Sequence, residues 1–184
     1  MKTSQFLFIL CLFIGACKSD PTATVDGKTV PIEEKNAAIS QLENEIEQKG
    51  PDPEKMEELM KLYETHVEAF PEKEGLNVSY LLKAGELARA GQHYDKAIQY
   101  YSQIIRRYGS NEKADKAWFL KAFTFDEHLH QLDSAKYFYE QYLSRYPKGQ
   151  FADDAQATLK NLGKTPEEIV KEFEEKGATS EKNK

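Results

Sequence analysis

Cysteine is nearly missing from this chain. The 184 residues hold two, Cys11 and Cys17. From Lys18 onward there is no thiol for a disulfide, a thiolate metal site or cysteine catalysis. Basic clusters are missing as well. The net charge is −6, and no Lys/Arg run interleaves with aromatic residues. That argues against nucleic acid as a partner, since such binding rests mainly on neutralising phosphates. No glycine-rich phosphate loop, serine elbow, HExxH pair or paired-carboxylate arrangement occurs, so no catalytic residue, cofactor or metal is expected. Of the four histidines, His128 and His130 lie two apart and would point to different faces of a helix, while His93 and His130 fall at corresponding turns. A metal bridging that last pair is disfavoured. Glu57-Glu58 and Glu167-Glu168 read as solvated helix faces.

What the chain does have is a pattern written twice between residues 76 and 147. Leu82, Lys83 and Ala84 return 38 positions later as Leu120, Lys121 and Ala122. Asp95, Ala97, Tyr101, Gln103, Arg107 and Tyr108 return as Asp133, Ala135, Tyr139, Gln141, Arg145 and Tyr146. A third partial copy follows, Ala114-Asp115-Lys116-Ala117 reappearing as Ala152-Asp153-Asp154-Ala155, and Phe70-Pro71 sits one period before Tyr108-Gly109. A fixed period of this size means stacked supersecondary units, none of which buries its apolar face alone. Ala97, Ile98, Tyr101, Ile104, Ile105 and Tyr108 trace one face of a helix, and Ala135, Phe138, Tyr139, Tyr142, Leu143 and Tyr146 repeat that stripe. The recurring Ala84, Ala97, Ala122 and Ala135 mark places where two helices approach closely. A Leu there would overpack by roughly 1–3 kcal/mol.

Ala97…Tyr101…Tyr108-Gly109 and Ala135…Tyr139…Tyr146-Pro147 resemble the tetratricopeptide (TPR) repeat. Tyr146-Pro147, a short polar stretch, then Ala152-Asp153-Asp154-Ala155 is similar to the longer-loop TPRs of Gram-negative envelope proteins. These include the BamD-type lipoprotein of the β-barrel assembly machine and the periplasmic TPR partner of the Tol–Pal system. Two departures stand out. The first-helix glycine is Gly85 in one copy and Phe123 in the next, and the turn glycine Gly91 gives way to His130-Gln131-Leu132. The resemblance implies an all-α fold, a short TPR-like α-solenoid of antiparallel helix pairs, here closed by a C-terminal capping helix.

The chain then divides as follows. Residues 1–16 have the layout of a signal peptide, with Lys2, the apolar run Phe6 to Ile14 (too short to span a bilayer) and the small residues Gly15-Ala16. Ile14-Gly15-Ala16-Cys17 resembles a lipobox, which implies lipid attachment at Cys17 and membrane association through that anchor. Lys18 after the cysteine favours the outer membrane, with the domain in the periplasm or facing outward. Residues 17–31, punctuated by Pro21, Gly27 and Pro31, read as a flexible tether. Residues 32–73 read as an N-terminal helix pair, with Ala38, Ile39, Leu42 and Ile46 on one face of its first helix and Asp52-Pro53-Glu54 starting its second. Repeats follow at 74–111 and 112–149. Residues 150–175 form a terminal partial repeat and a capping helix begun by Thr165-Pro166-Glu167-Glu168, and 176–184 a disordered tail.

The resemblance places the binding groove along the first helices of successive repeats. Its candidates are Leu82, Glu86 and Arg89 in one repeat and Leu120, Thr124 and His128 in the next, although a packed helix pair could use Leu82 and Leu120 as core and a structural role is favoured over ligand contact. Trp118 and Phe119 are expected to pack between repeats. Asn77-Val78-Ser79 fits an N-glycosylation pattern, and Asp133-Ser134-Ala135 an O-glycosylation triplet, though Asp133 is better explained as a helix cap. The expected function is a non-enzymatic, outer-membrane-anchored scaffold that binds a protein or peptide partner in envelope assembly or maintenance. The alternatives are a lipoprotein that captures a small molecule or glycan, and an accessory subunit of an envelope enzyme.

Overall fold

The structure, a computed structural model, describes residues 22–25 and 28–181. Within these lie two strands, β1 (Thr22–Val25) and β2 (Lys28–Pro31), and eight helices: α1 (Ile32–Lys49), α2 (Pro53–Ala69), α3 (Glu74–Ala90), α4 (Tyr94–Arg107), α5 (Ala114–Glu127), α6 (Leu132–Arg145), α7 (Ala152–Asn161) and α8 (Pro166–Glu181). From α1 to α7 each helix packs on the one before it, and α3 also meets α5 directly. Contacts that run only to near neighbours in sequence are the signature of a solenoid. No strand interrupts residues 75–163.

The 38-residue period is written in the backbone as well as in the side chains. Phe70, Tyr108 and Tyr146 close α2, α4 and α6, and their N–H groups donate to His66, Ile104 and Tyr142 carbonyls at 2.9, 2.8 and 2.8 Å. The next turn repeats too, with Lys73, Asn111 and Gly149 N–H donating to the carbonyls of Phe70, Tyr108 and Tyr146. Gln92 and His130, one period apart, both take left-handed φ values of 61° and 51°. The left-handed slot falls one residue after Gly91, whose own φ is −80°, so the turn does not depend on that glycine for its backbone conformation. Each repeat spends the strain of a left-handed side chain at that slot, a conformation that costs roughly 1–2 kcal/mol.

Helix starts obey the sequence where capping residues were legible. Asp52 accepts from Glu54 and Lys55 N–H at 3.0 and 3.1 Å, ahead of Pro53 at the first helical position. Thr165 and Glu168 form a reciprocal capping box, at 3.2 Å to Thr165 Oγ1 and 2.8 Å to Glu168 Oε2. Asp133 departs from expectation. It sits in the first turn of α6 behind Gln131, where it complements the helix dipole and caps nothing.

The core forms two connected clusters. One fills the space among α1, α2, α3 and α4 around Tyr63, Leu81, Tyr101 and Ile104; the other surrounds Tyr139 and Tyr142 between α5, α6 and α7. Ala84, Ala97, Ala122 and Ala135 are completely buried, as their spacing required. Phe119 packs against both clusters and stacks on Phe151 at 4.5 Å, while Trp118 is buried beneath the Arg145 guanidinium at 4.5 Å. Ala38 faces solvent and only Ile39, Leu42 and Ile46 of its group turn inward.

Two expectations are corrected at the ends. The segment expected to be a flexible tether contains an antiparallel hairpin, Thr22 opposite Pro31 and Val25 opposite Lys28, laid against α1 and α2. Thr22, Thr24, Val25, Thr29 and Val30 are β-branched residues suited to a strand, which outweighs the turn-forming composition around them. The tail expected to be disordered continues α8 as far as Glu181. At the end of the stack α7 lays Leu159, with Leu162 just after it, on the second cluster; α8 adds the half-buried Ile169 and leaves Val170 exposed. The signal segment and Cys17 lie outside the described residues.

Candidate functional site

The first helices of successive pairs, α1, α3 and α5, share one face, and ion pairs tie them together across it. Lys83 Nζ of α3 donates to Glu43 Oε1 of α1 at 2.6 Å. One turn along α3, Glu86 Oε1 meets Lys116 Nζ of α5 at 2.7 Å. The Glu43 carboxylate also accepts from Tyr63 Oη at 2.6 Å, so it is oriented from below as well as from the side. Burial, then Glu43, holds the Tyr63 phenol well above its ordinary pKa, keeping it a hydrogen donor throughout the biological range.

Two clefts open on this face. One of about 490 Å³ lies between α1 and α3, with Ile46, Leu59, Leu87 and Ala90 among its walls. The other, about 530 Å³, lies between α3 and α5 and reaches Gln150, with Ser79 and Leu82 on its walls. Lys83 and Glu86 line both. The two clefts therefore adjoin at α3, and together they form the trough between α1 and the approach of α7 in which Lys83 and Glu86 stand.

The sequence-predicted groove residues divide. Glu86 lines the trough, and Leu82 borders it while belonging, like Leu120, to the buried core. Thr124 has no exposed surface, and its hydroxyl donates back to the Leu120 carbonyl at 2.7 Å. Arg89 and His128 come together elsewhere, around the Phe123 ring near the helix ends. Arg89 lies 5.2 Å over that ring and His128 meets its edge at 5.9 Å, while His128 stacks on Tyr94 at 4.6 Å. Burial, with help from Arg89, lowers the His128 pKa and favours the neutral ring that stacks there. Phe123, which stands where the preceding copy has Gly85, thus holds its ring against Arg89 and His128.

Sequence reasoning missed the α1 side of the trough, Glu43, Ile46 and Glu47, and the paired Lys83 and Lys116. The signal was the stripe Ile39, Leu42, Ile46 with glutamates beside it. That reads equally well as an ordinary amphipathic helix until α3 is placed alongside. Asn77 is fully buried, and its Nδ2 donates to the Phe70 carbonyl at 2.8 Å and to Tyr108 Oη at 3.2 Å, which removes it from reach as a glycan acceptor in the folded chain. Ser134 remains half-exposed. Among the described residues no group of three or more His, Cys, Asp or Glu is arranged to hold a metal ion, and no helix is long and apolar enough to cross a membrane.

Comparison with known families gives a match to the tetratricopeptide repeat at residues 79–111 and again at 116–149. No curated protein matches the chain. Domains built of this repeat typically bind protein partners. With its helix pairs packed in sequence order and its backbone bonds recurring every 38 residues, the part of the chain from α1 to α7 is a helical solenoid that carries two consecutive tetratricopeptide repeats.

Proposed function

We propose that this chain is a non-enzymatic adaptor, anchored in the outer membrane through a lipid on Cys17, that holds a segment of a partner protein along the α1–α3–α5 trough in envelope assembly or maintenance. The observation that carries the docking part is the sharing of Lys83 and Glu86 by both clefts. It makes the first-helix face continuous over two repeat junctions, the right shape for an extended segment and a poor one for an enclosed small molecule. Side chains already held by Lys83–Glu43 and Lys116–Glu86 lose little freedom when a partner docks. The anchoring part rests on Ile14-Gly15-Ala16-Cys17 and on Lys18.

Photocrosslinking in the cells that make the protein tests both parts. A photoreactive residue at position 47 or 116 should capture a discrete partner, and one at Tyr137, which is exposed on α6, should not. Capture from position 137 alone, or from none of the three, overturns the docking reading. Cys17→Ala should leave the outer-membrane fraction; if it stays there, the anchor is wrong.

A further inference from the structure

We propose that the α1–α3 section of the trough takes an apolar side chain flanked by lysine or arginine, so that the partner segment is basic where it meets α1. The proposal rests on the trough being the docking face and adds the chemistry of the occupant.

The floor of this section is hydrocarbon. Ile46, Leu59 and Leu87 line it, together with the exposed Ala90, where a larger side chain would take up part of the cleft. An apolar side chain seated there would leave water, a gain of roughly 25 cal/mol per Å² of apolar surface. The rim carries charge of one dominant sign. Three carboxylates, Glu43, Glu47 and Glu86, face a single ammonium, Lys83. That ammonium is already committed to Glu43 at 2.6 Å. Glu47 is exposed and has no ion pair among the described residues. An incoming cation thus finds an unengaged carboxylate beside the apolar floor, whereas an incoming anion finds Glu47 and no unengaged lysine.

The other half of the trough differs. Around Ser79 and Leu82, Lys83, Lys113 and Lys116 balance Glu86, Glu112 and Asp115, so it has no net preference for charge. The demand for a basic residue is confined to the α1 end. Complementary charge across an interface sets partner choice and register more than affinity, which is the role assigned to Glu47 here.

The test pans random twelve-residue peptides displayed on phage against the full chain purified from the cells that make it, with Ala90→Arg and Glu47→Lys variants alongside. Ala90 and Glu47 are both exposed, so neither change disturbs the core. The expected outcome is enrichment of a large apolar residue beside Lys or Arg. Those peptides should fail to bind Ala90→Arg and bind Glu47→Lys roughly 3- to 10-fold more weakly. Selected peptides that lose binding to Ala90→Arg but are acidic, or that ignore Glu47→Lys, overturn this inference and leave the trough as a docking face. Peptides indifferent to both substitutions overturn this inference alone, and no enrichment at all overturns the docking reading and this inference with it.

Discussion

Gly85 lies so close to the Tyr101 ring that a Cβ at position 85 would fall 2.8 Å from Tyr101 Cζ and nearer still to Cε1. Tyr101 has no exposed surface and cannot swing aside. Alanine inside a helix ordinarily stabilises by roughly 0.5–1 kcal/mol relative to glycine. Here the overlap decides the sign. Gly85→Ala should destabilise by about 1–3 kcal/mol in chemical denaturation. Gly75→Ala on the same helix, where the added methyl meets nothing within 4 Å, should be neutral or slightly stabilising.

Phe119 joins the two halves of the core. Replacing it by alanine removes the stack on Phe151, the tilted contact with Tyr139 and the edge-on contact with Tyr142. The loss should be about 3 kcal/mol. It should also uncouple the N-terminal and C-terminal clusters, so that calorimetry resolves two transitions. A single transition at an unchanged midpoint would show that the clusters do not communicate through this ring.

Asn77 ties the turn after α2 to the end of α4 through Phe70 and Tyr108. Asn77→Ala removes both bonds and leaves the Phe70 carbonyl with the Lys73 N–H alone, which should cost about 1–2 kcal/mol. Tyr108→Phe removes only the longer bond and should cost less. Intact-mass measurement of the folded chain should find no sugar on Asn77.

His66 makes the fold sensitive to acid. Its ring is completely buried between Phe70 and Tyr80, and neither nitrogen has a hydrogen-bond partner. Burial lowers its pKa; Lys35 adds to this, Glu72 opposes it and Lys73 lowers it further. The unfolded chain therefore takes up the proton first, at about pH 6.5. Stability is full above that pH and falls as the pH drops below it. The urea midpoint should decline between pH 7.5 and 5, and His66→Phe should flatten the decline. An equal decline in the variant would assign the acid sensitivity to other groups.

The period, the helix pairs and their alanine contacts were legible because they depend on local spacing. Ala97 and Ala135 must be small wherever the first helix crosses the second, and the sequence repeats that demand. The trough was legible only in part. Glu86 and Thr124 occupy the same slot of their repeats, yet the long glutamate reaches Lys116 while the short threonine folds onto its own helix at Leu120. Register alone does not distinguish those outcomes. The hairpin was overlooked because Pro21, Asp26, Gly27 and Pro31 dominated the reading of a segment whose threonines and valines favour strands. The α1 wall was overlooked because a glutamate row on an amphipathic helix looks like any solvated surface.

Everything rests on α1, α3 and α5 lying side by side. Paired cysteines in a chain freed of Cys11 and Cys17 measure that directly, since positions 18–184 contain no cysteine of their own. With a short bismaleimide, Glu43→Cys with Lys83→Cys and Glu86→Cys with Lys116→Cys should each cross-link rapidly, and Glu43→Cys with Tyr137→Cys should not. Slow or absent linkage in both first-helix pairs, or equal linkage in the third, would contradict the stacked arrangement and the trough built on it.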